Sequence, residues 1–215
     1  MPAQAANLMQ SQDLFLIIDV QRDFCPGGQL AVPEGDAIIP TINRLAARFH
    51  HLILTQDWHP HGHRSFASSH PGMQPYSYIE LEYGQQTLWP DHCVQGAPGA
   101  DFHPNLEISR AELILRKGFR PTIDSYSAFL ENDKRTSTGL AGYLRERNFK
   151  RIFLVGLAYD YCVRFSAVDA VHAGFEAIVI ADACRPIGPI AETDRQFAQT
   201  GVKLISAADI LETGR

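Results

Sequence analysis

The chain has 215 residues, 45% of them hydrophobic and 20% charged, and a formal net charge of -5. That is enough apolar material for a core without disulfides or a structural metal. Its dispersed lysines and arginines form no basic stripe, which excludes nucleic acid as a partner class. No apolar run approaches the roughly 20 residues that span a bilayer, and residues 1–13 lack the basic start and apolar centre of a secretory leader. A cytoplasmic protein with no membrane partner is the expectation.

Residues 14–20 (LFLIIDV) form a continuous apolar run ending near a carboxylate, the pattern of a strand buried on both faces. Across residues 35–49, Ile38, Ile39, Ile42, Leu45 and Phe49 recur at helical spacing, and residues 51–55 (HLILT) give a second strand. Residues 56–105 are rich in proline, glycine, histidine and aromatics, without sustained periodicity; long excursions of this kind are usually functional. Regularity returns with a strand at residues 112–116, a helix at 139–148, a strand at 151–156 and a helix at 162–173. A strand at 176–181, a helix at 190–200 and a strand at 202–205 complete the chain. Alternating strands and helices predict one three-layer α/β/α domain over residues 1–215, with a mostly parallel central sheet covered on both faces.

In such sheets ligands bind beyond the carboxyl ends of the strands. The polar residues placed there are Asp19, Asp57 with His59, Lys117, and the turn 158–162. Cys162 sits between a strand and a helix, where a helix N-terminus lowers a thiol pKa and free amides can hold an oxyanion. A carboxylate such as Asp19 can act as general base to a thiol, and Lys117 can orient both and stabilise negative charge. Each residue also has an ordinary structural reading: Cys162 as a small buried hydrophobe, Asp19 as a turn cap or partner of Arg22, Lys117 as a surface lysine. The four cysteines, Cys25, Cys93, Cys162 and Cys184, are irregularly spaced and contain no C-x-x-C, so reduced thiols are expected.

The segment IIDVQRDFCPGGQLAV resembles the opening of nicotinamidases in the isochorismatase-like cysteine hydrolase superfamily. So do TQDWHP, WPDHCVQG, GADFHP, RKG and GLAYDYCV, in the same order along the chain. The resemblance implies the isochorismatase-like hydrolase fold and an Asp19–Lys117–Cys162 triad. It also implies oxyanion donors at the amides of Ala158 and Cys162, and a cis peptide between Leu157 and Ala158. Isochorismatases share the fold without the nucleophilic cysteine, so Cys162 points to amide hydrolysis. The turn departs from the family in carrying Tyr159 where threonine is more usual, which is expected to crowd or reshape the pocket wall.

On an extended segment Asp57 and His59 point to the same side, and the resemblance joins them to His92 as ligands of one divalent metal. Zinc is the first choice, with iron and manganese open. Ser65 is implied as an outer contact, whereas His61, His63 and His70 match no ligand position and are read as solvated loop residues. Phe24, Leu30, Trp89 and Tyr126 match positions lining an aromatic substrate pocket, which suits a flat pyridine ring. Cys25, Cys93 and Cys184 are assigned structural places.

The activity implied is hydrolysis of nicotinamide to nicotinate and ammonia through a cysteine thioester, a step of NAD salvage, with pyrazinamide as a second substrate. The rivals are a metal-free N-carbamoyl or ureido amidase of the same superfamily, a silent metal- or nicotinamide-binding protein, and a zinc-hydroxide hydrolase. The partner class is a small aza-aromatic amide; the sequence leaves monomer and homo-oligomer equally open.

Overall fold

The computed structural model describes residues 9–212. The reading of residues 1–13 as free of a leader therefore lies, for residues 1–8, outside the described residues. Among the described residues, eight strands and five α-helices follow one another: β1 (Leu14–Ile18), α1 (Ile39–Ala46), β2 (His51–Asp57), β3 (Tyr78–Leu81), β4 (Gly84–Thr87), β5 (Leu113–Lys117), α2 (Leu140–Glu146), β6 (Arg151–Leu157), α3 (Arg164–His172), β7 (Glu176–Arg185), α4 (Ala191–Thr200), β8 (Lys203–Ile205) and α5 (Ala208–Leu211). Six strands form one parallel sheet in the order β5-β2-β1-β6-β7-β8.

All five residues of β1 are buried, as expected for a strand covered on both faces. Its alternating side chains divide the core. Phe15 and Ile17 pack with Ile39, Ile42 and Leu45 of α1 and Ile210 of α5. Leu14, Leu16 and Ile18 pack on the other face with Leu140 and Leu144 of α2, Ala167 and Ala170 of α3, and Phe197 of α4. Full burial of each such leucine or isoleucine contributes about 1.5–3 kcal/mol, which locks the strand in register and the residue after it in place.

The chain order places β2 on one side of β1 and β6 on the other. This is a topological switch point, and the carboxyl ends of β1 and β6 open into a crevice there. No described helix is long and apolar enough to cross a membrane.

Several expected boundaries move. The first helix begins at Ile39 rather than near residue 35, with Pro40 in its first turn, where a missing amide costs no intrahelical bond. The strand expected at 176–181 runs on to Arg185: its register against β6 shifts between Leu154 and Gly156, then resumes as Gly156 opposite Cys184. Gly156 has φ +118, and a Cβ there would lie 2.1 Å from the Ile18 carbonyl oxygen, so only glycine allows this approach of β6 to β1. The 56–105 excursion is not without regular structure. It carries the antiparallel β3–β4 hairpin, whose four-residue strands are too short for an alternation signal.

Candidate active site

At the end of β1 the backbone turns sharply. Asp19 adopts φ +47, a left-handed conformation that aspartate tolerates better than most residues, and its carbonyl accepts from the Gln21 amide at 2.8 Å. The turn delivers the Asp19 carboxylate, fully buried, into the crevice. Thr55 on β2 holds it twice: the hydroxyl accepts from the Asp19 amide at 3.1 Å and donates to Oδ1 at 2.6 Å. Gln21 clamps the end of β2, its side chain donating to the Asp57 carbonyl and accepting from the Asp57 amide, both at 2.8 Å.

Lys117 ends β5 and is 1% exposed. Its ammonium meets Asp57 Oδ1 at 2.5 Å, Asp19 Oδ2 at 2.8 Å, the Ser125 carbonyl at 2.9 Å and Cys162 Sγ at 3.4 Å. Three N–H groups thus serve four acceptors, which fixes the lysine at the centre of the site. Burial pulls the ammonium pKa down, but Asp19, Asp57 and Cys162 outweigh it and hold it well above the usual lysine range.

Cys162 lies in a five-residue π-helical turn, Tyr159–Val163, and α3 begins only at Arg164. The expected helix over 162–173 is thus a π turn followed by an α-helix. The Ala158 carbonyl closes this turn by accepting from the Tyr161 and Val163 amides, both at 3.1 Å, so closure does not use the Cys162 amide. The Leu157–Ala158 peptide bond is cis.

The expected lowering of the thiol pKa by a helix terminus does not prevail. Burial pushes the Cys162 thiol well up; Lys117 opposes this, while Asp19 and Asp57 add to it. The Asp19 carboxyl is raised as well, chiefly by burial, against the pull of Lys117. Burial thus disfavours charge on both the thiol and the carboxylate, and Lys117 favours it on both.

Asp57, His59 and His92 are all buried, with ligand atoms within 4.8 Å of one another. His59 Nε2 is 3.5 Å and His92 Nε2 3.8 Å from Asp57 Oδ2. Each imidazole donates from Nδ1 to a backbone carbonyl: His59 to Gly118 at 2.9 Å, His92 to Pro90 at 2.8 Å. Those anchors put the proton on Nδ1 and turn the Nε2 lone pairs toward Asp57, the tautomer a metal ligand needs. Gly118 has φ +67, and a Cβ there would lie 2.4 Å from His59 Cε1. Asp23 fixes the other arm by accepting from the Cys93 amide at 2.7 Å, and the Cys93 carbonyl accepts from the His59 amide at 3.0 Å. The donor set of one carboxylate and two imidazoles fits a borderline dication such as zinc, with coordination positions left over.

The loop histidines divide. His61 is exposed and His70 half-buried, but His63 is fully buried, contrary to its reading as a solvated residue. Its Nε2 donates to the Arg120 carbonyl at 2.8 Å and its Nδ1 accepts from the Ser65 hydroxyl at 2.7 Å. The Ser65 proton is thus engaged by His63. Burial holds the His63 pKa down.

A narrow cleft joins the two constellations, lined by Phe24, Leu30, Trp89 and Tyr126 together with Asp57, His92, Ala158 and Cys162. Sequence reading missed its remaining walls, Asp124, Tyr161 and Ile187. Tyr161 stands edge-on to Trp89, ring centroids 4.9 Å apart. The Tyr126 hydroxyl accepts from Trp89 Nε1 at 3.1 Å and from Gln86 Nε2 at 2.9 Å. Tyr159 is not a pocket residue: its ring packs on Phe197 and its hydroxyl donates to Asp194 at 2.7 Å. Successive residues of the turn face different ways, so the residue next to Cys162, and not the one three before it, forms the wall. Gln21, Asp23 and Tyr161 lie inside segments that carry the resemblance, and that position was the only signal pointing to them. The other three cysteines are buried and free; burial pushes Cys25 up to about 11 and Cys184 up to about 12.

Comparison with known proteins matches residues 13–209 to the Isochorismatase domain. The chain is 51% identical over 199 residues to a nicotinamidase of Acinetobacter baylyi, covering 91% of this chain and 93% of that protein. Among solved structures it is similar to a nicotinamidase/pyrazinamidase of Acinetobacter baumanii, with TM-score 0.93, 50% identity and coverage of 94% of this chain and 100% of that one. It is also similar to the pyrazinamidase of Pyrococcus horikoshii in complex with zinc, with TM-score 0.72, 35% identity and coverage of 91% and 99%. With the sheet, the cis peptide and the cysteine turn all in place, the chain belongs to the isochorismatase domain family.

Proposed function

We propose that this chain hydrolyses nicotinamide to nicotinate and ammonia through a thioester on Cys162, and accepts pyrazinamide as a second flat aza-aromatic amide. The observation that carries the reading is the convergence of Asp19, Lys117 and Cys162 beside an aromatic cleft that also opens on Asp57 and His92. Similarity over nine-tenths of the chain to a nicotinamidase supports it.

Asp19 takes the thiol proton as sulfur attacks the carboxamide carbon. Lys117 stabilises whichever of the pair carries the negative charge. The Ala158 and Cys162 amides receive the oxyanion. Collapse breaks the C–N bond, and Asp19 returns its proton to the leaving nitrogen, which departs as ammonia. Asp19 then activates water against the thioester, giving the carboxylic acid and restoring the thiol. Phe24, Leu30, Trp89, Tyr126 and Tyr161 sandwich the ring and exclude other water. Asp57, His59 and His92 would hold one divalent ion, which when bound supplies an open coordination position for the ring nitrogen and for water.

The test is ammonia release from nicotinamide, pyrazinamide and an N-carbamoyl amide, with and without chelator, for the parent and for Cys162→Ala. Release from the two ring amides, lost in Cys162→Ala while metal binding persists, is expected. A normal rate in Cys162→Ala, or preference for the carbamoyl amide in metal-free protein, overturns the reading.

A further inference from the structure

Tyr161 and Ile187 each line two spaces: the cleft beside Cys162 and a neighbouring open groove between the cysteine turn and the start of α4. Arg164, the first residue of α3, also lines that groove. Among the described residues its guanidinium makes no hydrogen bond and no ion pair, and its Nε is buried without an acceptor. Its contacts are two aromatic rings, with the guanidinium carbon 4.6 Å from the Phe165 centroid and 6.0 Å from that of Tyr161. A ring offers a cation its face, but not the lone pairs that five N–H donors in a planar fork can use. Burial lowers the guanidinium pKa, and Tyr161 and Asp160 only partly offset it.

A second donor lines the same groove. Thr193 is 1% exposed, and its hydroxyl has no hydrogen-bond partner among the described residues. It lies in the first turn of the ten-residue α4, whose N-cap, Ile190, offers the first amides no side-chain acceptor. An uncapped helix start favours negative charge. The acids nearby are already engaged. Asp160 accepts from the Ile187 and Gly188 amides, Glu192 pairs with Arg195 and accepts from Gln196 at 3.0 Å, and Asp194 accepts from the Tyr159 hydroxyl. We propose that this groove is a second subsite, outside the catalytic cleft, for an aromatic carboxylate: Arg164, Thr193 and the first turn of α4 take the carboxylate, and Tyr161 and Ile187 take the ring. Charge-assisted bonds from a guanidinium to a carboxylate are among the strong ones. The identity of the anion rests on the proposed hydrolysis, which turns a neutral ring amide into a ring carboxylate next to this groove.

The experiment is calorimetric titration of Cys162→Ala protein, with zinc supplied and nicotinamide saturating, so that a neutral amide that is not turned over fills the cleft. The probes are nicotinate, benzoate and inorganic phosphate. One equivalent of either ring carboxylate is expected to bind, and phosphate, which has no ring to lay on Tyr161 and Ile187, to bind more weakly. Adding Arg164→Gln is expected to weaken the carboxylates about 10–100-fold, the loss of a charged hydrogen-bond donor, and Thr193→Val about 2–10-fold, the loss of a neutral one. Arg164→Lys keeps the charge and is expected to recover part of the affinity. With Cys162 intact, Arg164→Gln is expected to keep the parent kcat for ammonia release and to lose the part of nicotinate inhibition that excess nicotinamide does not relieve. If Arg164→Gln fails to fold, Thr193→Val carries the comparison. No carboxylate bound beside saturating nicotinamide, or unchanged binding in both variants, overturns the inference. Phosphate bound as tightly as nicotinate overturns the assignment to a ring carboxylate. Nicotinamide that fails to bind Cys162→Ala, while carboxylate binding still depends on Arg164, counts against the proposed hydrolysis and leaves the groove standing.

Discussion

Thr55→Val keeps the shape of a fully buried side chain on β2 and deletes one hydroxyl. That hydroxyl donates to Asp19 Oδ1 at 2.6 Å and accepts from the Asp19 amide at 3.1 Å, so both groups lose a partner where water cannot replace it. A hydrogen bond to a charged group contributes about 1.5–3 kcal/mol, and an orphaned amide adds to the loss, so about 2–3 kcal/mol of stability should go. For a chain of this size that is a fall in melting temperature of about 4–12 °C. The same bond favours the ionised carboxylate, so its loss pushes the already raised Asp19 carboxyl further up. A general base works only when deprotonated, so the acid limb of kcat/KM should move to higher pH. The assays are thermal unfolding at matched metal content and ammonia release across pH, with Thr55→Ser, which keeps the hydroxyl, expected near the parent in both. A Thr55→Val protein with unchanged melting temperature and an unmoved acid limb would refute the idea that Thr55 sets the base.

Two further substitutions probe the cysteine turn. Asp160 accepts from the Ile187 and Gly188 amides at 2.9 and 2.8 Å, tying the loop that carries Ile187 to the turn that carries Cys162. In Asp160→Asn only one oxygen remains to accept, and a loss of about 1 kcal/mol in ring contact corresponds to about a fivefold rise in KM, with kcat changed less; steady-state kinetics on nicotinamide read the split. Tyr159→Phe removes the hydroxyl that donates to Asp194, which should lower stability by about 0.5–1.5 kcal/mol and leave KM unchanged. A KM shift there would return Tyr159 to the pocket wall.

Much of this protein is legible in the chain. The apolar runs at β1, β2 and β6 had to become buried parallel strands, because each is too short and too continuous in hydrophobicity for a surface helix. Strand alternation with helices then forced Asp19, Asp57, Lys117 and the cysteine turn to one edge of the sheet. The segments DVQRDF, QDWHP, WPDHCV and AYDYC supplied the proposed nucleophile, its partners and the proposed metal donors.

Tertiary structure alone decided how burial and neighbours shift those groups and which way they face. Local pattern placed Cys162 at a helix start and expected a lowered thiol pKa, yet the pKa of a thiol depends on what surrounds it. Here burial and the carboxylates of Asp19 and Asp57 outweigh Lys117. His63 looked like one more loop histidine until the carbonyl of Arg120, 57 positions on, was seen to accept its proton. Tyr159 and Tyr161 are two residues apart, and only the π turn sends one to α4 and the other to the cleft. Asp124 gave no signal at all, because the cleft wall it joins is assembled only when β4 brings Gln86 against the loop after β5. Periodicity and segment order are local and survive in one dimension; hydrogen-bond partners and buried charge balance come from distant parts of the chain and exist only once it has folded.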